Sequence, residues 1–136
     1  MNKLSQEEAN ELINALKRKI EEKIFYFPHE KGRLEFNVLS DDEKEFVVNI
    51  QRKGIRNDSC TYQGRLINGT VLMRLDINPT AKHIIGPHLH IYSEEYGNEA
   101  IPFDVNNKNL YELCFEFFKK FNVVELPEIY CQNGLK

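Results

Sequence analysis

His88, His90 and Tyr92 are separated by single residues in the run His-Leu-His-Ile-Tyr. Alternate residues of a β-strand project from one face, so this spacing predicts all three side chains outward together, with Leu89 and Ile91 toward a core. Imidazole has an unperturbed pKa of about 6.5, which makes its acid and base forms both available near neutrality. Arg74 and Asp76 repeat the one-residue spacing in an earlier apolar-alternating run. Together these residues suit metal-independent cleavage of a phosphodiester. His90 and His88 divide the base and acid roles in either assignment. Arg74 clamps phosphate with its planar fork of donors, and Tyr92 and Asp76 stand in support. An RNA 2′-hydroxyl needs only a base, an acid and an oxyanion partner.

The same residues admit other chemistry. Side chains two apart on a strand can meet one ion, so His88 and His90, with Glu94, Glu95 or Asp76 as a carboxylate donor, could hold zinc, iron or nickel. A cupin has a His-x-His followed by a nearby glutamate, but its spaced glycines and second histidine motif are missing. The run also resembles the signature of histidine-triad nucleotide hydrolases, with His90 at the middle position and Tyr92 in place of the last histidine. Without any activity, the pattern reads as exposed sheet histidines beside a weak Arg74 and Asp76 ion pair. Gly86-Pro87 and Tyr96-Gly97 bracket the strand with the tight backbone geometry of a shaped pocket. His83 lies close in sequence, whereas His29, after Pro28, reads as incidental.

The elements that position these residues follow from periodicity. Ser5 to Glu8 has the capping-box form, and Ala9, Leu12, Ile13, Leu16, Ile20 and Ile24 continue an apolar stripe, predicting one long N-terminal helix. From Arg33 the period becomes two, predicting a hairpin around Ser40-Asp41-Asp42. Asn68-Gly69 predicts a second hairpin with a type I′ turn. Its register opposes Leu66 to Val71, Gly64 to Met73, Tyr62 to Leu75 and Cys60 to Ile77 on the core face. Arg65 then opposes Leu72, Gln63 opposes Arg74 and Thr61 opposes Asp76 on a polar face. If the histidine strand joins the same sheet, the two polar faces coincide. A short strand near Ala100 to Phe103, with Pro102 suited to an edge, follows. A second helix capped by Asn106 or Asn107 carries Leu110, Leu113, Cys114, Phe117, Phe118 and Phe121. Val123 to Pro127 reads as extended, and residues 128–136 as an extended or mobile tail.

Composition narrows the class. The chain has 136 residues, 41% hydrophobic and 29% charged, the mixture of one globular domain spanning 1–136. No run approaches the roughly 20 apolar residues of a membrane helix, and the first residues are acidic rather than signal-like, so a cytoplasmic location without membrane contact is expected. Cys60, Cys114 and Cys131 have no paired spacing; Cys60 and Cys114 read as buried thiols. The net charge of −3 gives no general pull toward nucleic acid, leaving the Gln51 to Arg56 run as the best basic patch, although a solvated loop explains it too.

The residues from Leu72 to Ile77, then Gly86 to Tyr92, Glu94, Tyr96 and Gly97, resemble an uncharacterised family of small bacterial proteins often carried by phages and other mobile elements. Its marks are an Arg-x-Asp strand, a His-x-His-x-Tyr strand and a Gly-Tyr/Phe-Gly turn, for which this chain has Glu95 at the first glycine. The resemblance covers roughly residues 70 to 103 and implies no established activity. Its genomic company implies toxin-like ribonucleases or proteins of conflict between phage and host. The expectation is therefore an α+β fold with an antiparallel sheet of four or five strands, both helices on one face, and the polar set on the other. The expected activity is a metal-independent, toxin-like endoribonuclease acting on RNA without a cofactor. The alternatives are a non-enzymatic inhibitor that binds a host or phage protein, and a transition-metal protein using His88, His90 and Glu94.

Overall fold

A computed structural model describes residues 3–53, 60–77 and 86–131. Helix α1, Gln6–Asn14, begins at the expected capping box: Ser5 Oγ accepts from the Glu8 amide at 3.0 Å while the Glu8 carboxylate accepts from the Ser5 amide at 3.0 Å. The helix buries Ala9, Leu12 and Ile13 and then stops. Ala15 is extended, with φ −61° and ψ 137°, and Lys17–Lys19 forms strand β1 instead of two further helical turns. Leu16, Ile20 and Ile24, which continue the apolar stripe in sequence, are all 46–47% exposed. Sheet pairing overrides the helical period here: β1 lies between two strands and cannot also be helix.

Strand β2, Ile24–Phe27, leads to the long pair β3, Gly32–Ser40, and β4, Glu45–Arg52, which are antiparallel from Gly32 opposite Arg52 to Leu39 opposite Glu45. Strands β5, Cys60–Leu66, β6, Val71–Ile77, β7, His88–Ser93, and β8, Gly97–Pro102, continue the sheet. Helix α2, Leu110–Lys120, is followed by β9, Val123–Glu125, and β10, Glu128–Cys131. The main sheet has eight strands in the order β8-β7-β6-β5-β4-β3-β1-β9, not four or five, and β10 pairs with β2 in a separate parallel pair. The excess comes from short pieces with too little alternation to read, such as the Lys-Arg-Lys of β1 and the three residues of β9, whereas residues 128–131, the extended part of the expected tail, form β10 outside this sheet. The sheet is antiparallel except where β1 meets β9.

Further corrections are local. The β5–β6 register is as expected from Cys60–Ile77 to Gly64–Met73, then shifts so that Arg65 faces Val71 and Leu72 is an extra residue, buried beside Met73. Leu66 and Thr70 close the hairpin, Gly69 takes φ +99°, and Asn68 is not among the positive-φ residues, so a three-residue loop replaces the type I′ turn. Asn109, not Asn106 or Asn107, caps α2, in a second capping box with Glu112. Asn106 and Asn107 take positive φ in the approach to it. Only Gln51, Arg52 and Lys53 of the basic run are among the described residues. Arg52 turns inward and donates to the Pro28 carbonyl at 2.9 Å, and residues 54–59, like His83, lie outside the described residues. No helix of the described residues is long and apolar enough to cross a membrane.

The core joins both helices to the sheet in one cluster. Phe117, Phe118 and Phe121 of the α2 segment meet Tyr62, Phe36 and Phe46 of the sheet edge-on or tilted, at centroid separations of 5.8–6.1 Å. Tyr62 donates from its hydroxyl to the Leu110 carbonyl at 2.6 Å. Cys60 and Cys114 are buried free thiols, as expected, and burial raises both of their pKa values.

Candidate functional site

Strand β7 pairs antiparallel with β6, placing Arg74 opposite His90 and Asp76 opposite His88. On the other side of β6, Gln63 faces Arg74 and Thr61 faces Asp76. The two polar faces expected from alternation therefore do coincide, and four of the five sequence candidates are neighbours. Tyr92 is the exception. It is buried within the core cluster, and its hydroxyl donates to the Leu4 carbonyl at 2.7 Å. The segment entering α1 clamps this end of β7: Gln6 Nε2 donates to the Tyr92 carbonyl, and the Gln6 side-chain oxygen accepts from the Glu94 amide. Glu94 is likewise turned away from the histidines, its carboxylate accepting from the Gln6 amide at 2.8 Å at the start of the helix.

The hydrogen bonds of the two imidazoles fix their protons. His88 Nδ1 lies 3.0 Å from the Gly86 carbonyl, which can only accept, so Nδ1 carries the hydrogen and the neutral ring keeps its lone pair on Nε2. Gly86 reaches this position with φ +87°, a backbone conformation that favours glycine. His90 Nδ1 lies 2.9 Å from Asn98 Oδ1 on β8, which gives the same tautomer. The rings pack edge to face, 4.7 Å apart at 73°. His88 is only 3% exposed. Its Nε2 stands 3.9 Å from Asp76 Oδ2, too far for a hydrogen bond.

The donor atoms of Asp76, His88 and His90 all lie within 4.8 Å of one another. Three side-chain atoms of this neighbourhood are buried without any hydrogen-bond partner: His90 Nε2, Asp76 Oδ1 and Arg74 Nε. Buried polar atoms are almost always satisfied. Three unsatisfied atoms fall within this one patch. The His90 pKa is lowered, first by burial and then by Arg74 and His88, against the opposing pull of Asn98 and Asp76. This shift favours the neutral form of its imidazole.

Chemically, two imidazole nitrogens and a carboxylate can accept protons or ligate a metal. A divalent ion with bonds of about 2.0–2.2 Å holds neighbouring donors roughly 3 Å apart, so the side chains must draw in by 1–2 Å at most, a movement within reach of side-chain rotation. Sequence reasoning missed Asn98 and the Gly86 carbonyl, the two groups that orient the rings. The glycine before Pro87 was a visible signal, but Asn98 was not, because the expected edge strand began only near Ala100. Residues 4–123 match the family described as Family of unknown function (DUF6978). No curated protein and no solved structure matches the chain.

Proposed function

Because the chain belongs to a family of unknown function, DUF6978, its activity has to be read from the site, and we propose that Asp76, His88 and His90 bind a divalent transition metal in a metal-dependent hydrolase. One observation carries this reading: a ring nitrogen of each histidine and a carboxylate oxygen of Asp76 lie within 4.8 Å of one another, while Nδ1 of His88 is engaged by the Gly86 carbonyl and Nδ1 of His90 by Asn98. Metal-ligating histidines characteristically donate their other nitrogen to a carbonyl or carboxylate, which fixes the tautomer. Two nitrogens and one oxygen suit zinc first and iron(II) second. Three protein donors leave a coordination position for water, whose pKa the ion lowers toward neutrality. The test is metal content by mass spectrometry of protein purified without an affinity tag. We expect about one zinc or iron per chain, lost in His88→Ala/His90→Ala. A metal-free wild type that also fails to take up added zinc would rule the reading out.

A second reading, a metal-independent endoribonuclease, is favoured by the lowered pKa of His90, since a general base must be unprotonated at working pH. Arg74 across the strand pair would then stabilise the phosphorane charge. Cleavage of labelled RNA that survives EDTA but not the double substitution would select it. A chain that neither holds metal nor cuts RNA would be left as a binding protein for a host or phage partner.

A further inference from the structure

Arg74 is a cation in search of an anion. Its Nε is buried without a partner, and none of the ion pairs among the described residues includes it. The nearest acid on its strand, Asp76, faces His88 instead. Gln63, on the opposite flank, is neutral and accepts from Arg65 at 3.3 Å. A guanidinium cannot shed its proton in a protein, and this one is half-buried with its Nε shielded from water. The edge of a guanidinium that carries Nε and its neighbouring Nη can take two oxygens of a phosphate or carboxylate side by side. Charge then separates these two classes. With a divalent ion held by Asp76 and two neutral imidazoles, the carboxylate offsets one of the ion's charges, and Arg74 brings the remainder to two positive charges. A dianion cancels both; a carboxylate or a phosphodiester, each a monoanion, cancels one.

We propose that this site binds a phosphate monoester or inorganic phosphate dianion, one oxygen toward the ion and others on the Nε edge of Arg74. The inference rests on the metal reading above. It is tested on zinc-loaded full-length protein by isothermal titration with inorganic phosphate and phenyl phosphate at pH 7.5, with acetate as the monoanionic control. Metal content is measured first for the wild type, Arg74→Lys and Arg74→Gln. The expected result is phosphate and phenyl phosphate binding to the wild type and at least about tenfold weaker binding in both variants, with zinc retained. Acetate binds far more weakly than phosphate. A wild type that holds no zinc would remove the metal reading and this inference together. A zinc-loaded wild type that ignores phosphate, takes acetate as tightly, or keeps its phosphate affinity in both variants would overturn this inference alone. Loss of zinc in Arg74→Lys would make Arg74 a support for the cluster, which also overturns it.

Discussion

His90 depends on Asn98 for the direction of its lone pair. The Asn98 amide oxygen accepts from Nδ1 at 2.9 Å, and without it the ring is free to turn or change tautomer, because no other hydrogen bond among the described residues fixes which nitrogen is protonated. Asn98 lies on the fully exposed edge strand β8 and belongs to no core contact, so its removal should cost little stability. On the metal reading, Asn98→Ala should weaken zinc binding by about 10- to 100-fold, the usual effect of removing a partner that orients a ligand. Competition with a chromophoric chelator measures this directly. Unchanged affinity, with an unchanged melting temperature, would mean that β8 plays no part in positioning His90. Tyr92 gives the contrasting lesson at this scale. It shares the alternation of His88 and His90 in sequence, yet its ring and hydroxyl serve the packing of the α1 entry, so alternation told which way a side chain starts out but not what lies over it.

Among the elements, β5 and α2 meet at a point with no spare volume. A Cβ placed on Gly64 would come within 2.5 Å of Phe121 Cε2 and 2.6 Å of its Cζ. Phe121 cannot easily yield, being fully buried and packed against Phe46 and Phe117. Gly64→Ala should therefore destabilise the fold by about 1–3 kcal/mol through overpacking, read as a lower urea midpoint at unchanged slope. A neutral outcome would show that the α2 terminus can slide. Gly64 also sits where the β5–β6 register shifts, and sequence reading was accurate up to this point and not beyond it. The pairs from Cys60 to Gly64, which carry the polar face and hence the site, follow simple alternation; the bulge beyond them depends on the three-residue loop. The overlong N-terminal helix has a different cause. Leu16, Ile20 and Ile24 keep a four-residue spacing by coincidence, and only pairing with β3 on one side and with β9, more than 100 residues later, on the other reveals that Lys17 to Lys19 is a strand. Local periodicity carries no information about such a partner.

Lys17 draws the two ends of the molecule together. Its ammonium is fully buried and donates to the carbonyls of Ile13 and Ala15 at 2.9 and 2.8 Å, and of Phe121 at 2.8 Å, while lying over the Phe121 and Phe46 rings. The end of α1, strand β1 and the end of α2 are thus joined at one point, reinforced by Asn122 donating to the Ile13 carbonyl. Among the described residues no carboxylate pairs with it, and burial lowers the Lys17 pKa from 10.5 to about 7. Since the folded value lies below the unfolded one, the unfolded chain binds more protons between about pH 7 and pH 10.5, and the Lys17 contribution to unfolding free energy rises with pH across that window. The wild type should accordingly gain stability relative to Lys17→Met as pH rises from 7 to 10, whatever fixed offset the lost carbonyl contacts introduce. Urea unfolding of both chains at several pH values isolates the slope, because every other titrating group is common to the two. A flat difference would mean that the three carbonyls and two rings compensate the buried charge in full and hold Lys17 protonated throughout. Zinc content should be equal in both chains at pH 7, because β1 and β9 close the sheet at the edge opposite β8, with β3, β4 and β5 between them and the strands that carry Asp76, His88 and His90.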